Sequence, residues 1–139
     1  MEETYQELKR RQQEEINNFP FIFAFNDKQL AEGMEKIGLT IKDTDKLLSL
    51  GSGSFIKKTD RDALNELFKK HTQEMNDAIK NDTKGEGFIF DMFQYELDNH
   101  EYCVTYDTYD TLSSLGLTIE KVNNNPALKK GLHLALQKY

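Results

Sequence analysis

Apolar and polar positions along the 139-residue chain follow two periods, and the points where the period changes mark out short elements. From Glu2 to Asn18, the positions Tyr5, Leu8, Gln12, Ile16 and Phe19 keep helical spacing with one polar gap. The residues between them are mostly Glu, Lys, Arg and Gln, which are good helix formers. So thin a stripe predicts a largely solvated helix over residues 1–18, resting at the edge of the domain. Acidic residues come first and Lys9-Arg10-Arg11 follow, which allows i,i+4 pairs such as Glu7 with Arg11. The basic triplet reads as a solvated helix face rather than a phosphate patch. Pro20 stops the helix. Phe21-Ile22-Phe23-Ala24-Phe25 is then a continuous apolar run, which predicts a short buried strand. Asn26 caps a second helix, Asp27 to Ile37, with Leu30, Met34 and Ile37 as its inner stripe. Gly38 ends it, and Thr40 starts a further short turn.

Gly51-Ser52-Gly53-Ser54 lacks the spacing of a phosphate-binding loop and precedes an apparent strand, Phe55 to Lys58, so a hairpin turn is expected. Thr59-Asp60-Arg61-Asp62 resembles a capping box. It opens a long helix to about Lys80, with Leu64, Leu67, Phe68, His71, Met75, Ala78 and Ile79 on one face. His71 reads as a hydrogen-bonded histidine at the edge of the core. After a polar break, Phe88 to Asn99 forms another helix. Ile89, Phe93 and Leu97 point inward, with Phe90 and Met92 flanking, and Asp91, Gln94, Tyr95 and Asp98 lie outward. Tyr102 to Tyr106 reads as a strand with Cys103 buried in it. Asp107 caps a short helix through Ser114, Gly116 ends it, and Thr118 begins a turn through Val122. Asn125-Pro126 opens the last helix, which buries Leu128, Leu132, Ala135 and Leu136. The expected fold is a single α+β domain, residues 1–139, with about three strands covered by five or six helices.

One internal echo stands out. Ile37-Gly38-Leu39-Thr40-Ile41-Lys42 recurs as Leu115-Gly116-Leu117-Thr118-Ile119-Glu120. The two copies are either equivalent strand–helix–turn modules or a coincidence of helix ends.

Charge is unevenly placed. Gly85 to Glu120 holds eight of the 24 acidic residues and none of the 18 basic ones, so this stretch alone accounts for the net charge of −6. It also holds seven aromatic residues, three Phe and four Tyr, which makes it an acidic and aromatic zone. A negative chain without clustered cations is a poor general nucleic-acid binder. No apolar run approaches the roughly 20 residues of a membrane helix. The N-terminus lacks the basic and apolar regions of a signal peptide. A lone cysteine, Cys103, allows no internal disulfide. A soluble, cytoplasmic protein is the expectation.

The densest group of reactive side chains runs from Tyr95 to Asp107. Glu96 and His100, four apart, could meet at a helix end or supply two metal ligands, with Asp98, Glu101 or His71 as a third. No second ligand pair, His-Glu-x-x-His or EF-hand spacing accompanies them. The plain alternative is a helix-end pair in which the helix dipole favours His100. Cys103 with His100 as base reads less well than a buried thiol. No cofactor motif is present. Acids interleaved with tyrosines can instead meet a basic protein surface. The residues expected to do so are Asp91, Tyr95, Glu96, Asp98, His100, Glu101 and Tyr102.

Three stretches carry a resemblance: Phe19-Pro20-Phe21-Ile22-Phe23-Ala24-Phe25-Asn26-Asp27-Lys28-Gln29-Leu30-Ala31-Glu32-Gly33-Met34, Gly53 to Asp60, and Tyr95 to Asp107. Through them the chain, from Tyr5 on, resembles a family of small uncharacterised proteins of bacteriophages and bacterial mobile elements. That family has no assigned activity, so the resemblance implies a setting in the bacterial cytoplasm and transfers no catalytic residue. The leading expectation is a non-enzymatic binding module whose acidic-aromatic face engages a host or phage protein with a basic surface. A small metal-dependent hydrolase or nucleotide-handling enzyme centred on His100 is the alternative. An oligomeric assembly accessory is a second.

Overall fold

The computed structural model describes residues 3–139. The chain is α+β, as expected, with eight α-helices and one three-stranded sheet among the described residues. It divides into two compact units. One comprises Gln13–Thr72, and the other joins the described residues up to Gln12 with Gln73–Tyr139.

The Gln13–Thr72 unit holds the end of α1 (Tyr5–Asn17), β1 (Ile22–Phe23), α2 (Asp27–Lys36), β2 (Leu47–Gly51), β3 (Ser54–Lys57) and the start of α3 (Arg61–Asn81). The strands run antiparallel in the order β1-β3-β2. Gly51, Ser52 and Gly53 all have positive φ, the backbone that a tight turn between β2 and β3 requires. The glycine-rich loop is therefore a hairpin turn. The apolar run at residues 21–25 forms a strand of two residues, and it is buried on one side only. Ile22 and Ala24 are buried against Met34, while Phe23 and Phe25 are exposed. An edge strand with one covered face buries alternate residues, so the run of apolar letters overstated the burial. Asn26 caps α2 by accepting from the Gln29 N–H at 2.8 Å. In α3, Leu64 and His71 are buried but Phe68 is exposed. His71 Nε2 lies 2.8 Å from Glu15 Oε2, which gives the histidine a specific partner.

In the other unit, α4 (Phe88–Asn99) is the central element, followed by α5 (Tyr102–Thr105), α6 (Tyr109–Ser114), α7 (Ile119–Asn123) and α8 (Pro126–Leu136). Ile89, Met92, Phe93 and Leu97 of α4 are fully buried with Tyr5, Leu112, Val122, Leu128, Leu132 and Ala135. Helices α4 and α8 approach closely at glycine. A methyl group on Gly131 would lie 2.4 Å from the Ile89 side chain, and that position admits no larger residue without movement. Asp82 caps α4 from the preceding loop. Its Oδ2 accepts from the N–H groups of Gly87 (3.1 Å) and Ile89 (2.9 Å), and its Oδ1 accepts from Gly85 (3.0 Å). Asn125 caps α8 as predicted, accepting from Ala127 and Leu128.

Residues 102–106 correct the sequence reading. They form the helical turn α5, not a strand, between Glu101 and Tyr106, both with left-handed backbones (φ 56° and 54°). Cys103 is exposed on this turn rather than buried. The β propensity of Tyr-Cys-Val-Thr-Tyr is overridden because the chain has no strand partner here and must turn back towards α6.

The echo has a local explanation. In both copies the glycine has positive φ, 80° at Gly38 and 70° at Gly116. The next N–H then bonds five residues back: Leu39 to Met34 at 2.8 Å and Leu117 to Leu112 at 2.8 Å. Thr40 and Thr118 follow in extended conformation and open the next turn. Gly-Leu-Thr is thus a helix stop followed by a helix start. The preceding strand exists only in the first copy, so the strand-based equivalence of two modules fails.

Candidate functional site

The acidic zone folds onto α4 and the turns that follow, and the structure sorts its side chains into three settings. The first is an open groove of about 720 Å³ lined by Thr4, Gln6, Asp91, Gln94, Tyr95, Asp98 and Asn99. The i, i+3, i+4 and i+7 spacing of a helix brings Asp91, Gln94, Tyr95 and Asp98 to one face. Burial, and beyond it the negative charge of Asp82, raises the Asp91 carboxyl above its ordinary value. Asp98 accepts a hydrogen bond from the Tyr139 hydroxyl. Burial and that bond hold the Tyr139 phenol above its usual range.

The second setting is buried. Glu96 is 2% exposed and is satisfied inside the unit. Lys9 Nζ donates to its Oε1 at 2.8 Å, and the Ser114 hydroxyl donates to its Oε2 at 3.2 Å. The Thr111 hydroxyl donates to its backbone carbonyl at 3.4 Å. Tyr5 is buried in the same network. Burial first, then the charge of Glu96, pushes the Tyr5 phenol well above its usual value. Lys9 Nζ lies 5.0 Å from the centre of the Tyr95 ring and 5.7 Å from that of Tyr5. Lys9 is thus no free member of a solvated face. Arg11, likewise, pairs with Glu3 (2.9 Å) and Glu74 (2.7 Å).

His100 caps the end of α4. Its Nε2 is 3.5 Å from Glu96 Oε2, buried, and makes no hydrogen bond. The expected meeting of Glu96 and His100 therefore occurs. Among the described residues no third His, Cys, Asp or Glu ligand joins them, and Lys9 already occupies the other carboxylate oxygen of Glu96.

The third setting is the turn beyond α4. Glu101 is exposed. Tyr102 is half-buried, with its ring 5.0 Å from Tyr139 and 5.7 Å from Tyr106. Val104, Tyr106 and Tyr109 stand largely in solvent.

Of the seven residues named from sequence, Asp91, Tyr95 and Asp98 share the groove. Glu96 and His100 lie in the buried network, and Glu101 and Tyr102 belong to the turn. The sequence reading missed Thr4, Gln6 and Asn99 in the groove wall, and Lys9 and Ser114 around Glu96. Polar residues on an amphipathic helix carry no mark of which neighbour they will meet, so nothing in the sequence signalled them.

Two acids of the zone are answered by the chain's own bases: Glu96 by Lys9, and Glu86 by Lys130 at 2.6 Å. Asp91, Asp98, Glu101, Asp107, Asp110 and Glu120 form no ion pair among the described residues.

A family model described as a family of unknown function (DUF7659) matches residues 4–138. The chain belongs to this family. No curated protein and no solved structure matches it. Membership of DUF7659 agrees with the expectation of an uncharacterised family covering nearly the whole chain, and it assigns no activity to any residue. No helix among the described residues is long and apolar enough to cross a membrane.

Proposed function

We propose that this DUF7659 chain is a non-enzymatic binding protein that engages a protein with a basic surface through the groove on α4. The observation that carries the reading is the state of the groove acids. Asp91 and Asp98 open onto one concavity beside Tyr95, and among the described residues neither forms an ion pair. Glu96, buried on another face of the same helix, shows the contrast: where the fold holds an acid inside, it supplies a cation at 2.8 Å. Burial, and beyond it the charge of Asp82, raises the Asp91 carboxyl, a penalty that an arriving Lys or Arg would offset. Tyr95 adds an amphipathic ring of the kind enriched at the centres of interfaces. Phosphate-bearing ligands are disfavoured by the same acids. The sequence resemblance supports a phage or mobile-element setting in the bacterial cytoplasm.

The test is affinity capture from bacterial lysate with the full chain and with Asp91→Lys/Asp98→Lys in parallel, read by quantitative mass spectrometry. The reading expects a protein retained by the parent, released by salt and lost from the variant. Equal retention by both chains would refute it.

A further inference from the structure

The Gln13–Thr72 unit carries an exposed apolar row that the α4 groove does not explain. Strand alternation turns Ile22 and Ala24 towards Met34 and sends Phe21, Phe23 and Phe25 the other way. Phe23 is 68% exposed and Phe25 82%. The Phe19 and Phe21 rings lie 5.1 Å apart, and those of Phe21 and Phe23 lie 5.8 Å apart, forming a ladder of aromatic rings along the strand. No charged residue occurs from Phe19 to Phe25. The strand is also an edge: β3 pairs with one side of β1, and among the described residues no strand pairs with the other.

We propose that this edge is a two-fold interface between two copies of the chain, with β1 set antiparallel to its counterpart and the phenylalanines interleaved. Three features favour a second copy as the occupant. A face without charge offers nothing for an oppositely charged partner to match, whereas it is complementary to itself. The Phe21 N–H already bonds the Phe19 carbonyl and the Phe25 N–H bonds Gln29 Oε1, so the pairing centres on Phe23; an antiparallel pair about that residue is isologous, and one axis serves both copies. The area is also of the right order. Two phenylalanines this exposed present roughly 300 Å² per copy. Doubled across the axis, that is about half of a small stable interface, and Phe19, Phe21 and the adjoining backbone extend it. The inference is independent of the α4 groove.

Sedimentation equilibrium of the full chain, from about 1 to about 200 µM, tests it. A species of twice the 16.2 kDa chain mass should grow in with concentration. Phe23→Ser/Phe25→Ser should weaken association at least about tenfold with an unchanged circular dichroism spectrum. As a second arm, Phe23→Cys in a Cys103→Ser background should give a disulfide-linked dimer on mild oxidation. A chain that stays at 16.2 kDa throughout, or a Phe23→Cys protein that does not cross-link faster than a Lys28→Cys control in the same background, would overturn the proposal.

Discussion

Lys9 Nζ lies 2.8 Å from Glu96 Oε1, across 87 positions of sequence. The lysine side chain is 45% exposed and the glutamate side chain 3%, so the pair is asymmetric. Removing the lysine strands a buried carboxylate, and removing the carboxylate returns the lysine to water. Lys9→Ala should therefore lower unfolding stability by about 3 kcal/mol, the lower end for breaking a buried pair. Lys9→Met with Glu96→Gln should recover much of that loss, because no charge is then left buried. Urea denaturation of the three chains, with unchanged m-values, checks this. A loss below about 1 kcal/mol for Lys9→Ala would mean that water or Ser114 solvates Glu96 adequately.

Tyr5 makes the same network sensitive to alkaline pH. Its hydroxyl is buried beside Glu96, and both effects raise its pKa in the folded chain. The unfolded chain releases this proton near pH 10. Above that pH the folded state binds more protons than the unfolded state, so stability falls as pH rises. The contribution is fully present below about pH 10 and is lost above it. Stability measured at neutral pH and at about pH 11 should drop less in Tyr5→Phe than in the parent. Parallel pH profiles for the two chains would contradict the assignment.

Asp82 should matter more than its loop position suggests. One carboxylate accepts three backbone N–H groups at the start of α4, from Gly85, Gly87 and Ile89. Asp82→Ala should cost about 2 kcal/mol, the upper range for an N-cap. Amide exchange at Gly87 and Ile89 should accelerate more than exchange in α8. Uniform acceleration across the unit would indicate global destabilisation instead of a lost cap.

Much of the fold was legible because its signals are local. Asn26, Asn125-Pro126 and the Gly38 and Gly116 stops each announce a helix end through the conformation that the residue itself prefers. The 3.6-residue period placed Ile89, Phe93 and Leu97 inward. The failures share a physical origin. Residues 102–106 look like a strand by propensity, and only the absence of a pairing partner makes them a turn. Strand β2, Leu47–Gly51, passed unnoticed because its apolar residues carry no alternation. Asp82 caps a helix seven residues away, beyond the range of a capping-box pattern. At the site, the i, i+4 and i+7 spacing brought Asp91, Tyr95 and Asp98 together on paper as in the structure. Helical phase sets Glu96 apart from them, and what no local pattern encodes is Lys9, the base that meets it.

The central claim is that Asp91 and Asp98 serve a partner and not the fold. If so, Asp91→Lys/Asp98→Lys should unfold within about 1 kcal/mol of the parent, because relief of the raised Asp91 carboxyl offsets loss of the Tyr139–Asp98 hydrogen bond. The decisive measurement is the association rate of the captured protein with each chain, from about 50 to about 300 mM salt. The parent's rate should fall by about tenfold or more over that range. The variant should associate slowly at every salt concentration and lose the dependence. Equal rates and equal salt slopes for the two chains would contradict the account.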